Sequence, residues 1–190
     1  GIPTASEADR ILTPRTLQLS KQADAYLYRL LAEWYLQTPF EVETHIWAME
    51  VGIEREQESI DFYEMTTGLR TAVSGFCLSD DGRVGATPDR LVGEEGLLEV
   101  KNPLPSTHVG WLLNGGLPNE HLLQTQMQLF VTGRHWSDFE SYVPRMPGLL
   151  VRTYPEPTIQ DALRVSLSLF CDRLEEGKEK LSKLRESAHE

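Results

Sequence analysis

The sequence predicts an α+β protein in which about five short strands form a central sheet flanked by helices. Two patterns and one absence carry that reading. Before residue 68 and after residue 157, apolar residues recur at steps of three and four, the spacing of one helix face. Between 71 and 101, and again between 138 and 154, short apolar runs alternate with turn residues, the pattern of strands and hairpins. No repeat, low-complexity run or flexible linker divides the chain, so residues 1–190 are expected to form one domain.

Taken in order, Thr4-Ala5-Ser6-Glu7 has the spacing of a capping box, which predicts a short helix over about 6–12, ended by Pro14. Ser20 is placed to cap a second helix, whose Ala23, Leu27, Leu30, Leu31 and Trp34 share one face and which Pro39 closes. A third helix over about 44–65 carries Met49, Ile53, Ile60 and Tyr63 on its apolar face and stops at Gly68. Three antiparallel strands follow near 71–79, 83–92 and 97–101, separated by Asp80-Asp81-Gly82 and by Gly93-Glu94-Glu95-Gly96. Pro103 and Pro105 open a stretch rich in Gly and Asn that reads as irregular. Pro118-Asn119 then starts a helix through Leu122, Leu123, Met127 and Phe130 to Gly133. Two strands near 138–143 and 148–154 precede a long helix from Thr158, whose end is a run of mixed charge.

Composition narrows the function. With 40% apolar and 25% charged residues the chain is ordinary globular material, long enough to need no disulfide or structural metal. No apolar run approaches the length of a membrane span, and the first residues lack the blocks of a signal peptide, so an intracellular location is the expectation. Cys77 and Cys171 are too few for an iron–sulfur cluster and are expected to be reduced and structural. The formal charge of −11 argues against a broad basic surface that coats nucleic acid. Contact with DNA would have to be local and metal-assisted.

The most informative residues are Pro88-Asp89 and, after nine more, Glu99-Val100-Lys101. A strand alternates faces, so Glu99 and Lys101 point the same way, ~6.6 Å apart along the strand, while Leu98 and Val100 point into the core. The turn at 93–96 can bring Asp89 beside them. Two carboxylates and an ammonium on one side of a twisted sheet are the parts of metal-assisted phosphodiester hydrolysis: hard oxygen ligands hold Mg²⁺, and Lys101 orients or deprotonates the attacking water. The alternative is a solvated strand face with a same-face Glu–Lys pair. In the third helix the stripe Met49, Ile53, Glu56, Ile60, Tyr63 puts Glu56 in the middle of an apolar face, where a carboxylate needs a partner. A metal shared with Asp89 and Glu99 is one; escape to solvent, or pairing with Arg55 or Arg70, is the other.

These blocks in this order resemble the lambda-exonuclease, or YqaJ-type viral recombinase, branch of the PD-(D/E)xK nucleases. The resemblance covers nearly the whole chain: residues 1–7, Gly52 to Gly68 around Glu56, Thr87-Pro88-Asp89, Leu98 to Pro103, Gln124-Thr125-Gln126 leading to Val131-Thr132-Gly133, and Tyr142-x-Pro144. It implies a single nuclease domain over 1–190 with a restriction-endonuclease-like core, a central mixed five-stranded sheet flanked by helices. It implies a Mg²⁺-dependent 5′ to 3′ double-strand DNA exonuclease that releases 5′-mononucleotides and leaves a 3′ single-stranded tail for recombination by strand annealing. Asp89, Glu99 and the Val100 carbonyl would ligate metal, two ions per site with Mn²⁺ as a substitute. Lys101 would assist the nucleophile, and Glu56 and Gln124 would complete the catalytic group. Ser6, at a helix start that favours phosphate, would bind the substrate's 5′ end. The partners implied are double-stranded DNA ends, a single-strand annealing protein and further copies in a ring of three, in the cytoplasm of a bacterial host, with a phage or prophage origin. In this family an Arg stands two residues ahead of the first glycine; Gly1 is the first residue of this sequence.

Gln124 could reach the sheet edge near the metal, or be one of three exposed glutamines with Gln126 and Gln128. The five histidines, 45, 108, 121, 135 and 189, lack ligand spacing and read as surface or packing residues. Trp111 and Trp136 could stack on bases, though packing is the commoner use. Alternatives to the exonuclease are a restriction- or repair-type endonuclease, which the Gln-x-Gln and Val-Thr-Gly block disfavours, and a non-catalytic DNA-binding scaffold.

Overall fold

The computed structural model describes residues 1–40 and 46–187, with the side chains of residues 46–54 outside that description. A 3-10 turn (Ala5–Glu7) leads into α1 (Ala8–Ile11), α2 (Ala23–Leu36) and α3 (Ile46–Thr67). β1 (Thr71–Val73), β2 (Cys77–Leu78), β3 (Gly85–Ala86), β4 (Arg90–Val92) and β5 (Gly96–Lys101) follow, then α4 (Pro105–Asn114) and α5 (Asn119–Thr132). β6 (Trp136–Ser141), β7 (Leu149–Thr153) and α6 (Pro157–Ser187) complete the order. The central sheet has five strands in the order β1-β4-β5-β6-β7 and is mixed, because β5 and β6 run parallel while the other neighbours are antiparallel. A parallel pair needs a long crossover, and α4 and α5 provide it.

Both faces of the sheet are covered, which is why the first five residues of β5 are all buried. On one face Ile60 and Tyr63 of α3 pack on Val92, Leu98 and Val100. On the other, α5 presents Leu123, Met127 and Val131 to a larger core shared with α1, α2 and α6, where Tyr26 stacks on Phe170 at 5.6 Å. Each of these fully buried aliphatic or aromatic side chains contributes roughly 1.5–3 kcal/mol.

The five strands expected from sequence each supply one strand of the sheet, but the first two are interrupted. Ser74 and Gly75 separate β1 from β2, and Pro88 separates β3 from β4, so β2 and β3 pair in a small sheet of their own. The capping box at Thr4 does not form: Thr4 has an extended backbone and no side-chain cap, and Glu7 turns outward to Arg10 and Arg29. Ser20 supports the turn ahead of α2 instead of capping the helix, its hydroxyl accepting from Gln22 N–H at 3.3 Å. The stretch after Pro103 is not irregular. Pro105 stands in the first turn of α4 and Gly115, at φ 67°, ends the helix in the left-handed conformation. The helix start near 44 and the inward placement of Met49 and Ile53 lie outside the described residues.

A polar network pins α3 to the sheet. Tyr63 donates to Asp138 Oδ2 at 2.6 Å, and Arg152 reaches both Asp138 oxygens at 2.8 Å. The same guanidinium lies 3.6 Å above the Trp136 ring, which in turn covers Gly96, where a Cβ would come within 2.2 Å of the indole. Asp138 is thereby paired on every side, as a buried carboxylate must be. Tyr63→Phe removes the hydroxyl donor alone and is expected to destabilise the fold by about 1.5–3 kcal/mol in urea unfolding, the range for a hydrogen bond to a charged group.

Glu140, two residues along β6 and on the same face, has no such help. It is 2% exposed and its Oε2 has no partner among the described residues. Burial, and then the charge of Asp138, push its carboxyl up to about 8. A folded-state value above the unfolded one means that the native state holds a proton which the unfolded chain releases. The contribution to stability is therefore complete below about 4.5 and is lost as pH rises toward 8. Glu140→Gln should raise the melting temperature at pH 8 and flatten its fall between pH 5 and 8; an unchanged pH profile would contradict the assignment.

Candidate active site

The last rung of the β4–β5 ladder is Arg90 opposite Leu98, so Asp89, just before β4, has left the ladder and lies beside Val100. Its Oδ2 accepts from the Val100 N–H at 2.7 Å. The N–H and C=O of one strand residue point to the same edge, and successive residues alternate. Lys101 directs its carbonyl to the β6 side, accepting from Tyr142 N–H at 3.0 Å, so the Val100 carbonyl is turned toward Asp89. An acidic side chain and a backbone oxygen thus face the same gap at the start of β4.

Glu99 lies behind them on the α5 face. It is buried, at 2% exposure, which removes the solvated-face reading of this strand. Its Oε1 receives the Lys101 ammonium and the Gln124 amide, the latter at 2.5 Å, and its Oε2 receives the Gln128 amide at 2.6 Å. The same-face pairing of Glu99 and Lys101 follows the strand alternation that the sequence predicts. Gln124 is half-buried and Gln126 and Gln128 are buried, so the picture of three exposed glutamines is wrong. Gln126 faces elsewhere, bonding Tyr154 O, the Glu156 N–H and Gln160.

Glu56 is brought to the same region by α3, but not as a buried charge. Its side chain is 38% exposed and meets Arg90 Nη1 at 3.6 Å, an arginine that also donates to the Asp89 carbonyl at 2.8 Å. Arg55 and Arg70 are not its partners; Arg70 pairs with Glu64. Between α3 and the end of β5, Ser59 donates to Asn102 Oδ1 at 2.7 Å, tying the helix that carries Glu56 to the residue after Lys101.

The carboxylates repel one another. Burial first, then Glu99 and to a smaller degree Glu56, push the Asp89 carboxyl up to about 7, against the opposing pull of Lys101 and the Val100 N–H. A cation among these oxygens removes that penalty. Among the described residues no three His, Cys, Asp or Glu side chains form a ligand cluster by themselves. Two carboxylates with a backbone carbonyl instead match a hard ion such as Mg²⁺, which takes few protein ligands and keeps water. The donor set therefore fits a divalent cation held by Asp89, Glu99 and the Val100 carbonyl.

The remaining candidates lie outside this group. Ser6 is exposed on the 3-10 turn with its hydroxyl 3.3 Å from that of Thr4, and among the described residues it makes no hydrogen bond to the Asp89–Glu99 group. His121 packs as expected, stacked on Phe139 at 5.1 Å and edge-on to Trp111; burial and then the Lys101 charge lower its basicity. His108 is fully buried, with Nε2 donating to the Pro147 carbonyl at 2.8 Å and Nδ1 accepting from Ser141 at 2.6 Å. Trp136 is committed to packing under Arg152, and Trp111 donates to Glu120 at 3.1 Å. Both cysteines are free thiols, and Cys171 belongs to the core. Gln128 is the contact that sequence reasoning missed. The available signal was its i, i+4 spacing from Gln124, which puts both amides on one face of α5.

Comparison with known proteins bears on the fold and the family. A crystal structure of an alkaline exonuclease from Laribacter hongkongensis superposes with a TM-score of 0.86 at 26% identity, over 98% of this chain and 94% of that one. The same enzyme in complex with dAMP gives 0.85 at 28% identity, with equal coverage. A phage-related exonuclease from Haemophilus somnus shares the fold, with a TM-score of 0.73 at 11% identity over 97% of this chain and 96% of that one. No curated protein matches in sequence. The YqaJ-like viral recombinase domain matches residues 1–135, including Asp89, Glu99, Lys101 and Gln124, and the chain belongs to that family.

Proposed function

We propose that this chain is a metal-dependent exonuclease that degrades double-stranded DNA from the 5′ end, releasing 5′-mononucleotides and leaving a 3′ single strand for annealing. The observation that carries the reading is the convergence of Asp89, the Val100 carbonyl, Glu99 and Lys101 at the start of β4. The likeness to an alkaline exonuclease over nearly the whole of both chains supports it, as does that enzyme's complex with a mononucleotide. Residues 1–190 act as one nuclease domain.

In the proposed reaction a water oxygen attacks the phosphorus between the first and second nucleotides. The bond to the 3′ oxygen of the first nucleotide breaks, and the shortened strand keeps a 5′ phosphate. A divalent cation, Mg²⁺ or Mn²⁺ and two per site, held by Asp89, Glu99 and the Val100 carbonyl, would supply Lewis acidity and offset the charge on the phosphoryl oxygens. Lys101 is 29% exposed, so its ammonium can turn from Glu99 to orient the attacking water or to face a phosphoryl oxygen. Gln124, half-buried beside it, offers a neutral donor in the same place. Glu56 stands on the far side of Asp89, open to solvent, and adds negative charge toward a second cation. Ser6 lies on the turn that packs against α5 and is assigned to the 5′ end of the substrate.

The partners proposed with this activity are duplex DNA ends, an annealing protein for the single-stranded product, and two further copies in a ring, all in the cytoplasm of a bacterial host. Among the described residues no helix is long and apolar enough to cross a membrane.

The direct test is digestion of a linear duplex labelled at a 5′ end or internally, with and without a 5′ phosphate, in Mg²⁺ and in EDTA. Mononucleotides released from the 5′ end only with metal are expected. Internal cuts would indicate an endonuclease, and no cleavage in any divalent metal would indicate a binding scaffold.

Lys101→Ala should remove most turnover, about 10²–10⁴-fold, while circular dichroism and calorimetric Mn²⁺ binding stay near wild type. Retained activity would exclude the role given to this ammonium. Glu56→Gln keeps shape and loses charge at a half-exposed position. It is expected to raise the Mg²⁺ concentration for half-maximal rate with little change in melting temperature, and a wild-type metal dependence would return Glu56 to a surface ion pair with Arg90.

A further inference from the structure

Glu99 divides its hydrogen bonds unequally. Oε1 is shared by two groups that reach solvent, Lys101 and Gln124, whereas Oε2 is held by Gln128, which is 1% exposed. A carboxylate has acceptor capacity only, so the group facing Oε2 must be the amide NH₂, and this leaves the side-chain carbonyl of Gln128, Oε1, pointing away. That carbonyl is itself buried and has no partner among the described residues. An orphaned acceptor of this kind is costly, and an apolar residue of the same shape would avoid it. Among the described residues, the one hydrogen bond that the Gln128 side chain makes is to a carboxylate beside the reacting centre.

We infer that Gln128 is a positioning residue: it fixes Glu99 through Oε2 in one rotamer, so that Lys101 and Gln124 are free to leave Oε1 for water and phosphate without releasing the carboxylate. The inference rests on the active-site reading given above. Lys101 and Gln124 can exchange because they are partly exposed; Gln128 cannot, because it is enclosed by the sheet and the α5 core. Groups that hold a metal ligand from behind typically change metal affinity or activity by about 10–100-fold when removed.

The test compares wild type with Gln128→Met, which keeps length and loses the donor, in the full chain. Three quantities are read: the melting temperature in EDTA, the Mn²⁺ dissociation constant by titration calorimetry, and the Mg²⁺ dependence of cleavage of a 5′-phosphorylated linear duplex. Expected are a melting temperature within a few degrees of wild type, Mn²⁺ binding weaker by about 10–100-fold and a lower rate at saturating Mg²⁺. Gln126→Met, on the same helix but bonded to the segment at 154–160, should lower the melting temperature and leave Mn²⁺ binding unchanged. Gln128→Met with wild-type Mn²⁺ affinity and rate overturns the inference, whatever its melting temperature. If Gln128→Met does not fold, Gln128→Asn, too short to reach Oε2, is judged by the same criteria. A wild-type protein that neither binds Mn²⁺ nor cleaves overturns the active-site reading and this inference together, whereas an active wild type with an indifferent Gln128 overturns the inference alone.

Discussion

The burial of one carboxylate, Glu99, constrains most of what surrounds it. A charge taken out of water must meet donors on each oxygen or it destabilises the fold. Here the donors come from one strand neighbour and from two glutamines one turn apart on α5, so the helix can occupy only one axial position over β5. That position is set in turn by the topology. Because β5 and β6 are parallel, the chain must return across the sheet, and the return is the segment that contains α4 and α5. The parallel pair, the crossover and the site are therefore one structural unit.

The opposite face solves a different problem with similar means. There α3 has to be held at a fixed height so that Glu56 arrives near Asp89. Tyr63 anchors it to Asp138, and Ser59 anchors it to Asn102, one residue beyond Lys101. Ile60 and Tyr63 bury apolar surface on Val92, Leu98 and Val100, which supplies stability but little direction. Direction comes from the hydrogen bonds, since only they require a particular rotation of the helix about its axis.

Strand alternation was legible in the sequence, and it placed Glu99 and Lys101 on one face and Leu98 and Val100 on the other. The two prolines after Asn102 were harder to read. Pro103 does interrupt the chain, but Pro105 sits in the first turn of α4, where the missing N–H has no cost, and the left-handed Gly115 marks the other end. Glu56 shows a further limit: a helical stripe gives the direction of a side chain and not its depth. The stripe pointed Glu56 toward the sheet, yet the sheet ends there, at the mouth beside Asp89, and its cation is Arg90 from β4 rather than a sequence neighbour. Gln128 was hidden because period analysis scores apolar residues, and a glutamine on a buried helix face looks like an error until the carboxylate opposite is known.

The polar side chains buried at the centre of the sheet show where stability has been given up. Glu99 on β5 and Ser137, Asp138, Glu140 and Ser141 on β6 are each at most 2% exposed, on the two strands that a fold selected for stability alone would fill with valine and isoleucine. Ser137 Oγ, Glu140 Oε2 and the side-chain oxygen Oε1 of Gln128 over β5 have no partners among the described residues. Local rules of packing are broken most often where function sets the requirement. The two parallel strands bear that cost because β5 carries Glu99 and Lys101, the groups proposed to react, and β6 is its neighbour in register, residue for residue, from Gly96 opposite Trp136 to Lys101 opposite Ser141. The large core under α1, α2 and α6 is almost wholly apolar and lies away from this strip, so most of the apolar burial is kept apart from the polar side chains of β5 and β6.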